Sequence, residues 1–456
     1  MAEPISRDAV AETTLEPALD TEPEAARYPG WEATPRGVTH RLRSFLLSRP
    51  FVPLVILLAI SSRIAWIYRY PALPVSDFNW YYTVGGSIAH GQGFAFGGLP
   101  TATRPPGYPL LLAASNVLFG DSFLMARIFT AAFGIGTLVL AYLIARRLFS
   151  SELTGRLTLL ILAFFPNQIA YSGLFASELP FAFFTLLGAW LLLTRPRSVW
   201  TFIGAGASFG AALLIRPVGV VLPVLFLIAF VWRGAGFKAF LRGSVVVYLM
   251  MALLLIPWLG RNQQAFGHAT YSLEGGEALL EGTFPATDMR KVIAQSSALV
   301  PQTGDPIIDD QRRQSFALHY MRTHPGAMLK LVPDKVKNFN WSDADAVAWT
   351  IEGLSKPEKS LYTFITIANR YYIVVMGLSV AGLLLGLAIY RRWKRFSLVP
   401  FAVWFVTMAF YLPFAGSGRY HAPLVPWTSM YAAALLAFIL GDRRRPASRG
   451  AARPSV

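Results

Sequence analysis

FLMARIFTAAFGIGTLVLAYLIARR, residues 123 to 147, decides the class of this protein. Its apolar run through Ala145 meets the requirement of about 20 residues for a helix crossing a ~30 Å hydrocarbon core, and it closes on the adjacent cations Arg146 and Arg147. Working outward, comparable runs lie near 51–68, 157–176, 179–194, 199–215, 217–232, 243–259, 363–389, 396–414 and 420–440, so ten crossings are expected. The 456 residues are 54% hydrophobic and 14% charged, with a mean hydropathy of +0.45. A soluble domain carries roughly a quarter charged residues. The expected fold is therefore an all-α polytopic membrane protein.

The net charge of +16 does not point to nucleic acid, because the Lys and Arg sit in short clusters between apolar runs rather than on one face. They read as orientation signals. Arg146, Arg147 and Arg156, then Arg195 and Arg197, then Arg233, Lys238 and Arg242, then Arg391, Arg392, Lys394 and Arg395, then Arg443 to Arg445 all fall on the side of the N-terminal tail if the ten spans hold. The positive-inside rule makes that side cytoplasmic. The organisation expected is a polar, disordered cytoplasmic tail over 1–47, a transmembrane core over 48–259 with a first outer loop at 69–122, an extracytoplasmic cap over 260–362, C-terminal membrane helices over 363–440, and a basic tail over 441–456. The tail has no apolar signal-peptide core, and the 13-residue segment Gly107 to Phe119 is too short to span, so an outer-face helix is expected there. There are no cysteines, which excludes disulfides and Cys-ligated metal sites.

In the first outer loop, Phe78, Tyr81, Tyr82, Gly85, Ile88 and Ala89 recur at helical spacing behind Ser76 and Asp77. This predicts an interfacial helix with Asp77 at its N-cap, where both a capping aspartate and a catalytic carboxylate fit. Glu178 lies between two spans at their outer end, as a helix cap, an arginine partner or a site acid. Arg261 with Asn262 closes a span and Arg419 with Tyr420 opens one, placing cations where they can snorkel or hold a phosphate. Arg63 and Arg127 are further arginines near outer ends. His324 has no second His at i+4, so a structural role stands beside a metal-ligand or acceptor-contact role.

Asp77 with Tyr81, the turn Gly91 to Gly93 and TRPPGYPLL around Arg104 resemble the first loop of the protein O-mannosyltransferase-like glycosyltransferases. These are family 39 and its bacterial relatives, including the aminoarabinose transferases, within the GT-C superfamily. The series continues through SELP at Glu178, IRPVG at Arg216, PWLGRNQQAFGHATYSLEGGEALLEG, RTHPGAMLKL at His324 and SGRYHAPLVP at Arg419. The resemblance implies an inverting transferase using a polyprenyl-phosphate sugar donor, with a lipid, glycan or protein acceptor. Its site would face outward across the inner (plasma) membrane, away from cytoplasmic nucleotide sugars. On that resemblance Asp77 is the base, Arg104, Arg261 and Arg419 are donor-phosphate ligands, and Tyr81, Tyr82, Glu178, Asn262, His324 and Tyr420 support or bind substrate. Relatives commonly follow the aspartate with a second acid; here Phe78 follows, which leaves use of a divalent metal open. A transporter or lipid flippase is the principal alternative, and would place ionisable groups at mid-membrane in related halves. A non-catalytic binding protein is the second, and would not need Asp77.

Overall fold

The computed structural model describes residues 37–194, 198–232, 236–285, 295, 298–389 and 397–442. Most of the 1–47 tail lies outside the described residues. So do the cationic positions Arg195, Arg197, Arg233, Arg391, Arg392, Lys394, Arg395 and Arg443 to Arg445.

The described chain is mostly helical. Five helical segments are long and apolar enough to cross a membrane: Phe51–Arg69, Phe123–Leu148, Phe237–Phe266, Lys359–Ala388 and Gly418–Ile439. Five further apolar helices are shorter, Gly107–Phe119, Glu178–Leu193, Val199–Ile215, Pro217–Ile228 and Val399–Tyr411. The expected run 157–176 is broken into Glu152–Ala163 and Pro166–Tyr171. Pro166 brings no N–H and its ring would clash with a preceding carbonyl, so the helix stops before it. Arg63, buried on Phe51–Arg69, closes the broken end: its Nη1 donates to Ala163 O at 3.1 Å and its Nη2 to Leu162 O at 3.4 Å. Carbonyls at a helix end would otherwise lack partners in an apolar surround.

The segment Gly418–Ile439 is the most enclosed of the long five, at 78% of its apolar window, and Phe237–Phe266 the least, at 17%. On the latter, Leu241, Val245, Leu249, Leu253 and Ile256 form an exposed stripe at helical spacing, a face suited to lipid. Its other face meets the small residues of Val199–Ile215. A Cβ at Gly206 would sit 2.8 Å from Val247 O and one at Gly210 2.7 Å from Leu254 Cδ1. Close approach through small residues is the usual basis of helix packing in lipid.

Ser76–Ala89 and Gly107–Phe119 are helices as expected. Between them a two-stranded hairpin pairs Ala95–Phe96 with Leu99–Pro100. Gly97 and Gly98 supply its turn with φ of 60° and 80°, as a two-residue primed turn requires. The region 260–362 contains Gly275–Glu281, Pro306–Thr323, Pro325–Asn340 and Asp345–Glu352. Helix Phe237–Phe266 runs into this region and Lys359–Ala388 starts within it, so its edges at 260 and 362 fall inside helices. Leu280, Val300 and Ala317 give it a small core of its own.

Packing at Gly206 leads to a stability prediction. Gly206→Val should destabilise the detergent-solubilised protein by about 1–3 kcal/mol, the usual cost of overpacking. Gly260→Ala, where an added Cβ meets nothing within 4 Å, should leave the melting temperature nearly unchanged. Equal melting of the two variants would refute this packing.

Candidate active site

Asp77 does not cap its helix. Val75 occupies the N-cap and makes no side-chain cap bond, while Ser76 takes a positive φ of 47°. The Asp77 carboxylate is turned to other partners, and the expected N-cap role is corrected on that ground. Arg104 Nη2 donates to its Oδ1 at 2.8 Å, Ser76 Oγ approaches the same oxygen at 3.3 Å, and Arg419 Nη1 donates to Oδ2.

Each arginine then reaches a second acid. Arg104 Nη2 also donates to Glu274 Oε1 at 2.6 Å, and Arg419 Nε donates to Glu178 Oε1. Glu178 Oε1 accepts once more from Arg216 Nη2, at 2.6 Å. The result is an unbranched alternation, Glu274, Arg104, Asp77, Arg419, Glu178, Arg216, with three carboxylates and three guanidiniums. Burial deepens along it: the Glu274 side chain is 35% exposed and that of Glu178 1%. Unneutralised carboxylates could not be buried this way without severe desolvation cost, and alternation removes most of it.

Local sequence explains how each member arrives. Pro105 and Pro106 end the loop before helix Gly107–Phe119 and hold Arg104 at its start. Glu178 begins its helix, with Ser177 Oγ accepting from Arg216 at 3.1 Å. Arg216 is extended between Val199–Ile215 and the 3₁₀ turn at Pro217, because a residue before proline avoids helical geometry. Arg419 rides on a 3₁₀ turn whose Gly418 fits against the 342–345 loop, where a Cβ would lie 2.8 Å from Ser342 O. Aromatic rings line the arginines: the Arg104 guanidinium lies 5.4 Å from the Trp80 ring centre and 5.6 Å from Tyr81, and Arg419 lies 5.1 Å from Trp349 and 5.5 Å from Phe78.

The field separates the two exposed-end acids. Burial alone would raise the Asp77 carboxyl, but the charges of Arg419 and Arg104 and the hydrogen bonds from Arg419 and Ser76 outweigh it and hold it at about 2. Burial pushes Glu274 up to about 7, with Arg104 only partly offsetting it and the charges of Asp77 and Glu277 adding to it.

Of the residues singled out in the sequence, Asp77, Arg104, Glu178 and Arg419 are in the chain of charges. Tyr81 lies beside it with its ring 5.2 Å from Tyr108, and Tyr420, next to Arg419, stacks on Tyr411 at 4.2 Å. Arg261 is placed elsewhere: it donates to Thr101 O at 2.8 Å and Phe94 O at 2.6 Å, bracing both ends of the hairpin that precedes Arg104. Asn262 binds Thr270 O at 2.7 Å. Tyr82 stacks on Phe175, and His324 stacks on Tyr320 at the exposed junction of two helices. Among the described residues no three His, Asp or Glu side chains are arranged to hold a metal ion. Glu274 and Arg216 were not singled out as site residues, although both stand within the quoted motifs.

Residues 103–260 match the family model of dolichyl-phosphate-mannose-protein mannosyltransferase. This stretch includes Arg104, Glu178 and Arg216. An uncharacterised protein of Aquifex aeolicus (strain VF5) is 32% identical over 158 residues, which cover 34% of this chain and 32% of that protein. The archaeal oligosaccharyltransferase AglB of Archaeoglobus fulgidus, solved in complex with an inhibitory peptide and a dolichol-phosphate, superposes with a TM-score of 0.51 at 16% identity. That match covers 85% of this chain and 50% of AglB. The apo form of the Archaeoglobus oligosaccharyltransferase gives 0.53 at 16% identity, over 88% of this chain and 51% of the other. The fold is GT-C. The chain spans about half the length of the solved structures it superposes on.

The ion chain sets an order of sensitivities. Arg419→Met strips a partner from both Asp77 and Glu178 and should destabilise by about 3–5 kcal/mol, as breaking a buried pair does. Asp77→Asn leaves Arg104 on Glu274 and Arg419 on Glu178, and should cost clearly less. Thermal melting of both variants in one detergent tests the order, and a reversal would argue against the alternating arrangement.

Proposed function

We propose that this protein is a membrane glycosyltransferase that moves a sugar, with inversion, from a polyprenyl-phosphate donor to a hydroxyl of a lipid, glycan or protein acceptor on the extracytoplasmic face. The observation that carries the reading is Asp77 held between Arg104 and Arg419, a carboxylate bracketed by two guanidiniums at one end of a membrane fold. Dolichol-phosphate bound to AglB supports a lipid-phosphate ligand for the shared fold.

Such a transfer needs a carboxylate to take the acceptor proton and fixed positive charge at the departing phosphate. Arg104 and Arg419 supply the charge, and a guanidinium can meet two phosphate oxygens at once. An arriving phosphate competes with Asp77 for both of them. As they turn toward it, Asp77 loses part of the field that lowers its proton affinity and becomes a better base. The acceptor oxygen then attacks C1 from the face opposite the phosphate, giving inversion. Glu178 and Arg216 keep Arg419 oriented from below, and Arg261 keeps the Arg104 loop in place. Relocation of ion pairs at helix ends suits transfer better than transport.

Asp77→Asn should lower turnover by about 10²–10⁴-fold, as loss of a general base does. Arg104→Ala should weaken both undecaprenyl-phosphate binding and turnover, with Arg104→Lys retaining part of each. Sugar transfer by purified, folded Asp77→Asn within about threefold of wild type, far short of that loss, would remove Asp77 from the chemistry.

Orientation is tested independently. The chain has no native cysteine. Single cysteines at the exposed positions Leu99 and Gln302 should react with an impermeant thiol reagent in intact cells, and one at Lys238 should not. Labelling of Lys238→Cys alone would place the site on the cytoplasmic side.

A further inference from the structure

We infer that Glu274 is a second catalytic carboxylate, the acid that protonates the departing phosphate oxygen while Asp77 takes the proton of the acceptor. This rests on the transfer reading above and assigns the other half of its proton traffic.

The geometry places Glu274 where the phosphate would arrive. Its Oε1 and the Oδ1 of Asp77 accept from the same nitrogen, Arg104 Nη2, at 2.6 and 2.8 Å. The two carboxylates therefore flank one guanidinium edge, and a phosphate drawn to Arg104 lands beside both. Glu274 is also held there by its own backbone. Leu273 N donates to Ala102 O at 2.9 Å, Ser272 Oγ to Thr103 O at 3.1 Å, and Glu274 N to Ser272 Oγ at 3.2 Å. These bonds tie Glu274 to the loop that carries Arg104, and the partly open side chain can reach a ligand.

Charge balance gives the second argument. The six-membered chain has equal numbers of carboxylates and guanidiniums, so a donor phosphodiester brings one negative charge too many into a poorly hydrated site. Uptake of one proton restores the balance. Glu274, pushed up to about 7 by its burial, is the acid placed to take it, whereas Asp77 at about 2 stays ionised. Two carboxyls driven apart by their surroundings are the usual mark of an acid and a base assigned to different tasks.

The step closes without any further reactant. The acceptor O–H breaks, its proton goes to Asp77 and the oxygen's electron pair forms the bond to C1. The bond from C1 to the phosphate oxygen breaks, its electron pair stays on that oxygen, and the Glu274 proton joins it. Polyprenyl phosphate leaves as a monoanion. Its second pKa, about 6 for a phosphate monoester, is close enough to that of Glu274 for ready transfer. A proton passing from Asp77 back to Glu274 around Arg104 resets the site.

The test is release of undecaprenyl phosphate by the purified full chain from a panel of undecaprenyl-phosphate sugars including mannose, with solubilised envelope as acceptor source, between pH 5.5 and 9. Wild-type kcat/KM, which reports the unliganded enzyme, should fall about tenfold per pH unit above roughly 7, as a required acid loses its proton. Glu274→Gln should lower kcat by about 10²–10⁴-fold near pH 6 and abolish that fall, while undecaprenyl phosphate binds at least as tightly because a competing carboxylate is gone. Glu274→Asp should keep part of the rate and keep the fall; if Glu274→Gln does not fold, this limb decides, and its loss in the Asp variant counts against the assignment. Turnover of folded Glu274→Gln within about threefold of wild type, or an unchanged alkaline fall, overturns the inference and leaves the transfer reading intact. No release by wild type from any donor removes both.

Discussion

Three carboxylates and three guanidiniums are partly or wholly withdrawn from water at one place in this fold, and their alternation offsets the cost. The requirement is not local. Asp77 and Arg419 are 342 residues apart in the chain, Arg104 and Glu274 170, and Glu178 and Arg216 38. Satisfying them draws the first-loop helix, the hairpin loop, the start of Glu178–Thr194, the end of Val199–Ile215 and the turn at Gly418 to one point. Helix packing and site assembly are thus the same event, and a change in one arginine alters the environment of two acids.

The same arrangement defines what the site can bind. In the proposed reading an anion binds by competing with the carboxylates for these arginines, an exchange of counterions within a fixed set of positive charges. Trp80, Tyr81, Phe78 and Trp349 line the guanidiniums and limit both their hydration and their movement. Low hydration strengthens each pairing and raises the selectivity of the exchange. The Arg261 brace contributes at one remove: surrounded by Phe94, Trp258 and Phe266, it fixes the backbone from which Arg104 projects.

Much of this protein is determined by local sequence. Apolar runs longer than about 20 residues specify membrane helices whatever their neighbours, because backbone polar groups in hydrocarbon must bond within the segment. The helical spacing behind Ser76 and the shortness of Gly107–Phe119 are likewise local, and both segments are helical. The ordered motifs picked out Asp77, Arg104, Glu178 and Arg419 because each stands beside a proline, a glycine or a helix start that fixes its backbone. Only the tertiary structure decided the rest. Pro166 breaks its helix locally, but the partner of the carbonyls left at that break, Arg63, comes from another helix. The turning of Asp77 away from capping depends on arginines from distant loops, and the difference between Arg261 as a brace and Arg419 as a member of the charge chain depends on what each meets across space. Glu274 stands inside a quoted motif with nothing local to mark it out from Glu277 or Glu281, since its character comes from Arg104 and from burial. Periodicity records the spacing of neighbours along a chain, whereas the partner and proton affinity of a buried charge are set by groups that folding alone brings near.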